Sequence, residues 1–253
     1  MVRGMQTTER SMTTHTIGIL CPTRKRVKQL SRYIESILEN ADKPERCTFH
    51  FLVDNDDFET IDYLDSLIEK NYRLKYQAHP HGSVALSDMW NKIYEKCDDE
   101  IVMISGDDAI MRSSHWDSII DSVFSQVPDK ICLVYGKDGI HDQKFAAQFF
   151  LHRQWIETAG YIFPKYYTAD WADTWVFEVS KILQRALFVP DIFLEHMHWS
   201  VGKSEVDETV VLAQARRKSD NNEFMFRSPE HFSERLDLVK RLYKKIWDHA
   251  IKA

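Results

Sequence analysis

The stretch "EIVMISGDDAIM" (residues 100–111) is an apolar run that stops at Gly106, Asp107 and Asp108 and then resumes. The first six residues read as a buried strand. Two adjacent carboxylates at the end of such a strand repel each other and lose solvation, so something must compensate them. A pair of this kind forms a hard-oxygen site suited to Mg²⁺ or Mn²⁺ bridging a diphosphate. A solvated turn in which Asp108 caps a helix near Ser113 accounts for the same residues.

The residues upstream decide what kind of strand this is. "HTIGILC" (15–21), "CTFHFLVD" (47–54) and "YRLKYQA" (72–78) are further short apolar runs. Between them lie segments with helical spacing, the first carrying Val27, Leu30, Tyr33, Ile34, Ile37 and Leu38. The others are "FETIDYLDSLIEKN" and "SVALSDMWNKIYEKC". Strand and helix alternate through residue 105, which predicts right-handed βαβ units, a mainly parallel sheet and helices on both faces. In such sheets ligands bind at the carboxyl ends of the strands. Three polar clusters sit at those ends: Pro22-Thr23-Arg24, Asp54 to Asp57, and Gly106-Asp107-Asp108.

Beyond residue 110 the pattern is less regular. "KICLVYG" (130–136) and "QFFLHR" (148–153) read as strands, and "WADTWVFEVSKILQR" reads as a helix. "ALFVPDIFLEHMHW" reads as strand, turn and strand, and "PEHFSERLDLVKRLYKKIWDHAIK" as a long packed helix. The expected organisation is a flexible leader over 1–13 and a single domain over 14–253. That domain comprises a nucleotide-binding half (14–110), a half completing the metal and acceptor sites (111–225), and a C-terminal helix (226–253).

The 253 residues are 43% hydrophobic with a formal charge of −6, enough apolar material for one large core and no global attraction to nucleic acid or anionic membrane. The four cysteines lack C-x-x-C spacing and read as free thiols in a reducing compartment, which suggests the cytoplasm. No apolar stretch is long enough to span a membrane.

Several side chains carry candidate chemistry. A carboxylate at Asp54 suits a base N–H or a ribose hydroxyl, while Asp56 or Asp57 suits a helix N-cap. The cations of "PTRKRV" (22–27) oppose the dipole of the helix they precede, which an anionic ligand would resolve. His196 and His198 share a face if "EHMHW" is extended, and a neutral imidazole would complete a divalent site. Hydrogen-bonded core histidines fit the same spacing. Lys203 follows on the flexible Gly202 and suits a phosphate, or plain solvent ahead of a helix capped by Ser204. Asp173, set among Tyr167, Trp171 and Trp175, has the surroundings that raise a carboxyl pKa toward general acid–base work. Capping by Thr168 or Asp170, with the tryptophans as core, is the plainer account of that segment.

Taken together, a strand ending in P-T-R, a second ending in V-D, and "HGSVALSDMWNKIYEKCDDEIVMISGDD" resemble glycosyltransferase family 2 of the GT-A fold. Gly82, Ser83 and Asn91 fit that family's helix before its D-x-D metal motif. "GDDAIMRSSHWD", "VPDKICLVYGKDG" and "EHMHWSVGKSEVDET" are similar to stretches of phage and bacterial glycosyltransferase-like proteins. The resemblance spans roughly residues 15–210 and implies a GT-A type Rossmann-like sandwich. It implies a nucleotide pocket lined by Pro22, Thr23 and Arg24, base contact by Asp54, and diphosphate contact by Lys203. Asp107, with Asp108, would take the metal, His198 or His196 the distal ligand position, and Asp173 the role of catalytic base. Trp171, Tyr167 and Trp175 would shape the acceptor site.

Two positions depart from the family pattern: Ser105 stands at the first aspartate of D-x-D, and Ala172 precedes Asp173 where an acidic residue is usual. The implied activity is metal-dependent, inverting transfer from a nucleotide-sugar, a UDP-sugar favoured, with Mn²⁺ or Mg²⁺ as cofactor. The acceptor would be a glycan or a modified DNA base, nucleic acid being a candidate partner through "QARRK" (214–218) and "KRLYKK" (240–245). The competing expectations are a nucleotidyltransferase, which usually needs a glycine-rich loop that "CPTRKR" lacks, and a sugar-nucleotide-binding module without catalysis.

Overall fold

The structure, a computed structural model, describes residues 14–168 and 170–252. The expected leader, 1–13, lies outside them. The strands are β1 (Ile17–Thr23), β2 (Cys47–Asp54), β3 (Leu74–His79), β4 (Ile101–Ile104), β5 (Ala109–Met111), β6 (Leu133–Lys137), β7 (Phe149–His152) and β8 (Ala186–His196). The helices are α1 (Val27–Glu39), α2 (Phe58–Glu69), α3 (Leu86–Tyr94), α4 (Trp116–Gln126) and α5 (Arg153–Ala159). Then follow α6 (Ala172–Ile182), α7 (Glu208–Ser219), α8 (Asn222–Arg227) and α9 (Pro229–Ala250). All eight strands join one sheet in the order β3-β2-β1-β4-β7-β6-β8-β5.

The first four strands are parallel, as their alternation with helices predicts. β7 then runs antiparallel between β4 and β6, and β5 antiparallel to β8, so the sheet is mixed. Side-chain alternation divides the core in two. Ile17, Ile19, Cys21, Ile101 and Met103 pack with α1, α2 and α4. Leu20, Leu52, Val102 and Ile104 pack with α3, α5, α6 and α9. With both faces covered, β2 is buried along its whole length, which explains its unbroken apolar run. All four cysteines are free and buried.

The segment expected to be strand, turn and strand is one eleven-residue strand, β8. Its first part pairs parallel with β6, and its last part, Leu194 to His196, pairs antiparallel with β5. Pro190 and Asp191 are exposed in the gap between the Phe188 and Phe193 pairings with β6, so proline's missing N–H breaks no ladder. The register slips opposite Gly136, where a side-chain carbon would collide with the Ile192 carbonyl. The turn residues thus mark a bulge rather than a chain reversal.

Because β6 and β8 run parallel to β4, the carboxyl ends of β1, β2, β3, β4, β6 and β8 all meet one edge of the sheet. Gly136→Ala should disturb the strand crossing that brings β8 there. The expected cost is about 1–3 kcal/mol of overpacking, read as a lower midpoint in thermal circular-dichroism melts. A variant as stable as the parent would contradict this account of the bulge.

Candidate functional site

β4 is followed by Ser105, whose hydroxyl is paired with the Tyr33 phenol in the core. The chain then turns at Gly106 and presents Asp107 and Asp108 at the sheet edge. Asp107 is buried, and both its oxygens are taken: Thr23 Oγ1 donates to Oδ2 at 2.7 Å and Arg26 Nη1 to Oδ1 at 3.0 Å. Burial above all, with the Asp108 charge, pushes its carboxyl up against the pull of Arg26 and Thr23, to a net value of about 6.

Asp108 leads directly into β5, whose Ala109 faces His196 across the β5–β8 ladder. That register brings His196 Nε2 to 3.3 Å from Asp108 Oδ2. Burial would raise the Asp108 carboxyl, yet the hydrogen bond and charge of His196, with Arg26, hold it below its usual value. Reciprocally, burial disfavours charge on His196 but Asp108 outweighs it and raises the imidazole. His198 lies behind, its ring centroid 5.0 Å from that of His196, and its Nδ1 is paired with Ser200 Oγ at 2.7 Å. Burial and the neighbouring His196 keep it low. Of the two candidate histidines, His196 is the one in contact with an aspartate of the pair.

The cations before α1 find carboxylates. Arg24 Nη1 reaches Asp54 at 2.8 Å and Asp56 at 2.5 Å. Arg26 grips Asp207 with two bonds, Nε at 2.7 Å and Nη2 at 2.9 Å, while holding Asp107. Lys25 Nζ pairs with Glu208 at 3.0 Å, and its backbone N–H donates to Asp57. Asp57 is also the N-cap of α2, accepting from Thr60 N. Acidic side chains therefore resolve the dipole conflict that the sequence suggested an anionic ligand would resolve. Asp54 is buried and further bonded to His79 at 3.0 Å and His81 at 2.5 Å. Pro22 and Thr23 close β1 at the same edge.

Lys203 Nζ sits 2.9 Å from Glu195, which Arg112 holds from the other side. It does not precede a Ser204 cap, because α7 is capped by Asp207 accepting from Val210 N. Nor does Asp108 cap a helix: α4 begins at Trp116, after a left-handed His115 with no side-chain cap.

Asp173 lies in the first turn of α6 and accepts from Thr174 N at 2.7 Å. Burial pushes its carboxyl up to about 6, and its charge reaches His196. The approach to α6 is set by Asn91, whose side chain bonds the backbone of Ile162 and Phe163. Asp170 does not cap the helix but pairs with Arg217 at 2.8 Å. Tyr167 and Trp175 are fully buried, so they pack the core and offer no surface to an acceptor. Trp171, left-handed at φ 82°, is partly exposed and lines a cleft of about 620 Å³ with Asp170, Arg217, Asp220 and Phe224.

The carboxylate partner of Arg26 and a further aspartate were not read in the sequence. Arg26 and Asp207 are 181 residues apart and join only in the fold. Asp138 follows β6 at the same sheet edge. Its Oδ1 accepts three backbone N–H groups, from Ile140, His141 and Asp142, while the buried Oδ2 has no hydrogen-bond partner. Its carbonyl accepts from His196 N, and its charge reaches the His196 ring. The carboxyl-end rule, applied to "LVYGKDG" as it was to the first half, would have found it.

Two carboxylates and an imidazole supply the oxygen and nitrogen donors that Mn²⁺ or Mg²⁺ accepts, and the unpartnered Asp138 oxygen adds negative potential nearby. Arg26 and Thr23 hold both oxygens of Asp107. Among the described residues, the ligand-type trios that draw within 4.8 Å are instead His15-Glu100-His152 and His50-Cys97-Asp99.

No sequence-family model matches the chain, and no curated relative does. Solved structures do. The chain is similar to a mannosyltransferase, PcManGT from Pyrobaculum calidifontis, in complex with GDP-Man and Mn²⁺. Identity is 12% and the TM-score 0.58, over 94% of this chain and 76% of that one. It is also similar to S. aureus TarS 1-349 in complex with UDP, at 11% identity and TM-score 0.57, over 91% and 80% of the two chains. The same protein with UDP-GlcNAc gives 12% and 0.54, over 91% and 81%. At such identities the likeness is one of fold. The chain has the GT-A fold, the fold of these glycosyltransferases.

The raised carboxyl of Asp173 gives a pH test. Between its ordinary 3.8 and about 6 the folded chain keeps a proton that the unfolded chain has released. This group therefore makes stability fall as pH rises through that window and contributes no further change above it. Asp173→Asn should flatten the pH dependence of the melting temperature there. Parallel wild-type and variant curves would contradict a raised carboxyl.

Proposed function

We propose that the protein is a metal-dependent glycosyltransferase that moves a sugar from a nucleoside-diphosphate donor to an acceptor hydroxyl with inversion. The observation that carries this reading is the Asp108–His196 pair, created by the β5–β8 ladder beside Asp107 and within the field of Asp173. Asp108 and His196 would hold Mn²⁺ or Mg²⁺, with Asp107 adjacent. When bound, the ion supplies Lewis-acid stabilisation of a departing diphosphate.

The chain's own residues account for the remaining roles. Asp54, fixed by Arg24, His79 and His81, presents an acceptor to the N–H of a base, and Pro22, Thr23 and Arg24 border the same pocket. Lys203 releases Glu195 to reach diphosphate oxygens as a point charge. Asp173, near 6 and ionised at neutral pH, takes the proton of the attacking hydroxyl. Trp171 offers a face on which a sugar ring or a base stacks. The acceptor we favour is a glycan or a modified DNA base.

UDP is the favoured nucleotide. The four buried free thiols suit a reducing compartment, and we place the protein in the cytoplasm. Among the described residues no helix is long and apolar enough to cross a membrane.

A nucleotidyltransferase shares the sheet and metal logic but usually carries a glycine-rich phosphate loop after its first strand. Here that loop is Arg24-Lys25-Arg26, each side chain ion-paired to a carboxylate. The reading is tested by calorimetric titration of UDP, GDP, CDP and TDP with and without Mn²⁺. One nucleotide should bind in a metal-dependent manner, and Asp108→Asn should weaken it by at least about tenfold, the loss of one charge-assisted contact. Equal binding without metal, or none of any nucleotide, would overturn it.

A further inference from the structure

We propose that His50, Cys97 and Asp99 form a zinc site at the end of the sheet opposite the candidate donor site. His50 projects from β2, while Cys97 and Asp99 lie in the segment that leads into β4. Their donor atoms, one nitrogen, one sulfur and one oxygen, all lie within 4.8 Å of one another. His50 Nε2 is 2.8 Å from Asp99 Oδ2, and Cys97 Sγ is 3.5 Å from the same oxygen. A tetrahedral ion with metal–N and metal–O near 2.0 Å and metal–S near 2.3 Å separates N from O by about 3.3 Å and S from O by about 3.5 Å. The sulfur–oxygen edge already has that length, and the nitrogen–oxygen edge must open by roughly half an ångström.

Three further features favour an ion over a plain hydrogen-bonded trio. A mixed N, S and O set is borderline-soft, the preference of Zn²⁺ and not of the Mg²⁺ or Mn²⁺ assigned to the other edge. The charges also close. One thiolate and one carboxylate cancel a divalent cation, so the loaded site is neutral and its burial avoids the cost of an unpaired charge. Finally, β1 passes beside the trio at Gly18, where a side-chain carbon would stand 2.7 Å from Cys97 Sγ and 2.9 Å from Asp99 Oδ2. Glycine keeps that space open. The Asp99 side chain retains 12% of its exposure, which provides an entry and a fourth position for water.

Loading forms the zinc–sulfur bond as Cys97 releases its thiol proton to the buffer. Asp99 binds as the carboxylate it already is, and His50 as the neutral imidazole. Burial pushes the metal-free thiol up to about 12, so at neutral pH a thiolate at this position reports a metal and not spontaneous ionisation. The ion would clip β2 to the segment that begins β4, the strand whose far end carries Asp107 and Asp108.

The test uses the full chain, stripped with a chelator and titrated with Co²⁺ as a spectroscopic stand-in. The expected result is a thiolate-to-cobalt charge-transfer band in the near ultraviolet that saturates at a single equivalent and is bleached by Zn²⁺. Cys97→Ser should abolish the band. Asp108→Asn, and Cys47→Ser or Cys132→Ser, should leave it intact. Should Cys97→Ser fail to give a native circular-dichroism spectrum, His50→Gln replaces it, with the band expected to be lost or shifted. No band in the wild type, or an unchanged band in a folded Cys97→Ser protein, would overturn the proposal and leave the trio as a hydrogen-bonded cluster.

Discussion

Asp107 places a carboxylate at a position with almost no water, and that constraint organises the carboxyl edge of the sheet. A buried carboxylate with no cation costs several kcal/mol, and Arg26 meets the demand. The same guanidinium is forked onto Asp207, so one ion pair ties β4 to the loop after β1 and to the first turn of α7. Lys25–Glu208 and the Thr209 hydroxyl on the Arg24 carbonyl run alongside it. Residues 207–209 are thereby tied to the loop after β1.

The second constraint is geometric. Asp108 and His196 come from distant parts of the chain and meet only through β8. That strand slips register against β6 around Pro190 and Asp191, with Gly136 admitting the close crossing, and passes to β5 after Phe193. One strand therefore packs against β6 in its first part and brings His196 to Asp108 in its last. Glu195 and His196 alternate there, the first facing Lys203 and Arg112 and the second facing Asp108.

Much of this was legible in the sequence where local pattern decides the outcome. The first four strands and the helices between them announced themselves because a sheet covered on both faces shows continuous apolar runs. The carboxyl-end rule then located Thr23, Asp54, Asp107 and Asp108 without a structure. What escaped depends on partners far away in the chain. The proline of β8 looks the same in a bulge as in a turn until β5 and β6 are in place. Three residues are too few for β5 to show a period of its own. Tyr167 and Trp175 belong to an aromatic-rich stretch that, read alone, suits a binding surface as well as a core. Only the packing of α6 and α9 around them decides for the core. The cations at 24–26 drew an expectation of phosphate because their carboxylate partners at 54, 107, 207 and 208 were not adjacent in sequence.

We propose that the edge built around Asp107, Asp108 and His196 turns over a nucleotide-sugar. The most direct measurement is release of nucleoside diphosphate from UDP-sugars and GDP-sugars, followed with Mn²⁺ present and after chelation, in the wild type and in Asp108→Asn. Release from one donor that requires the metal and is lost in the variant is the predicted result. Release that survives both chelation and the loss of Asp108, or none from any donor, would contradict the account.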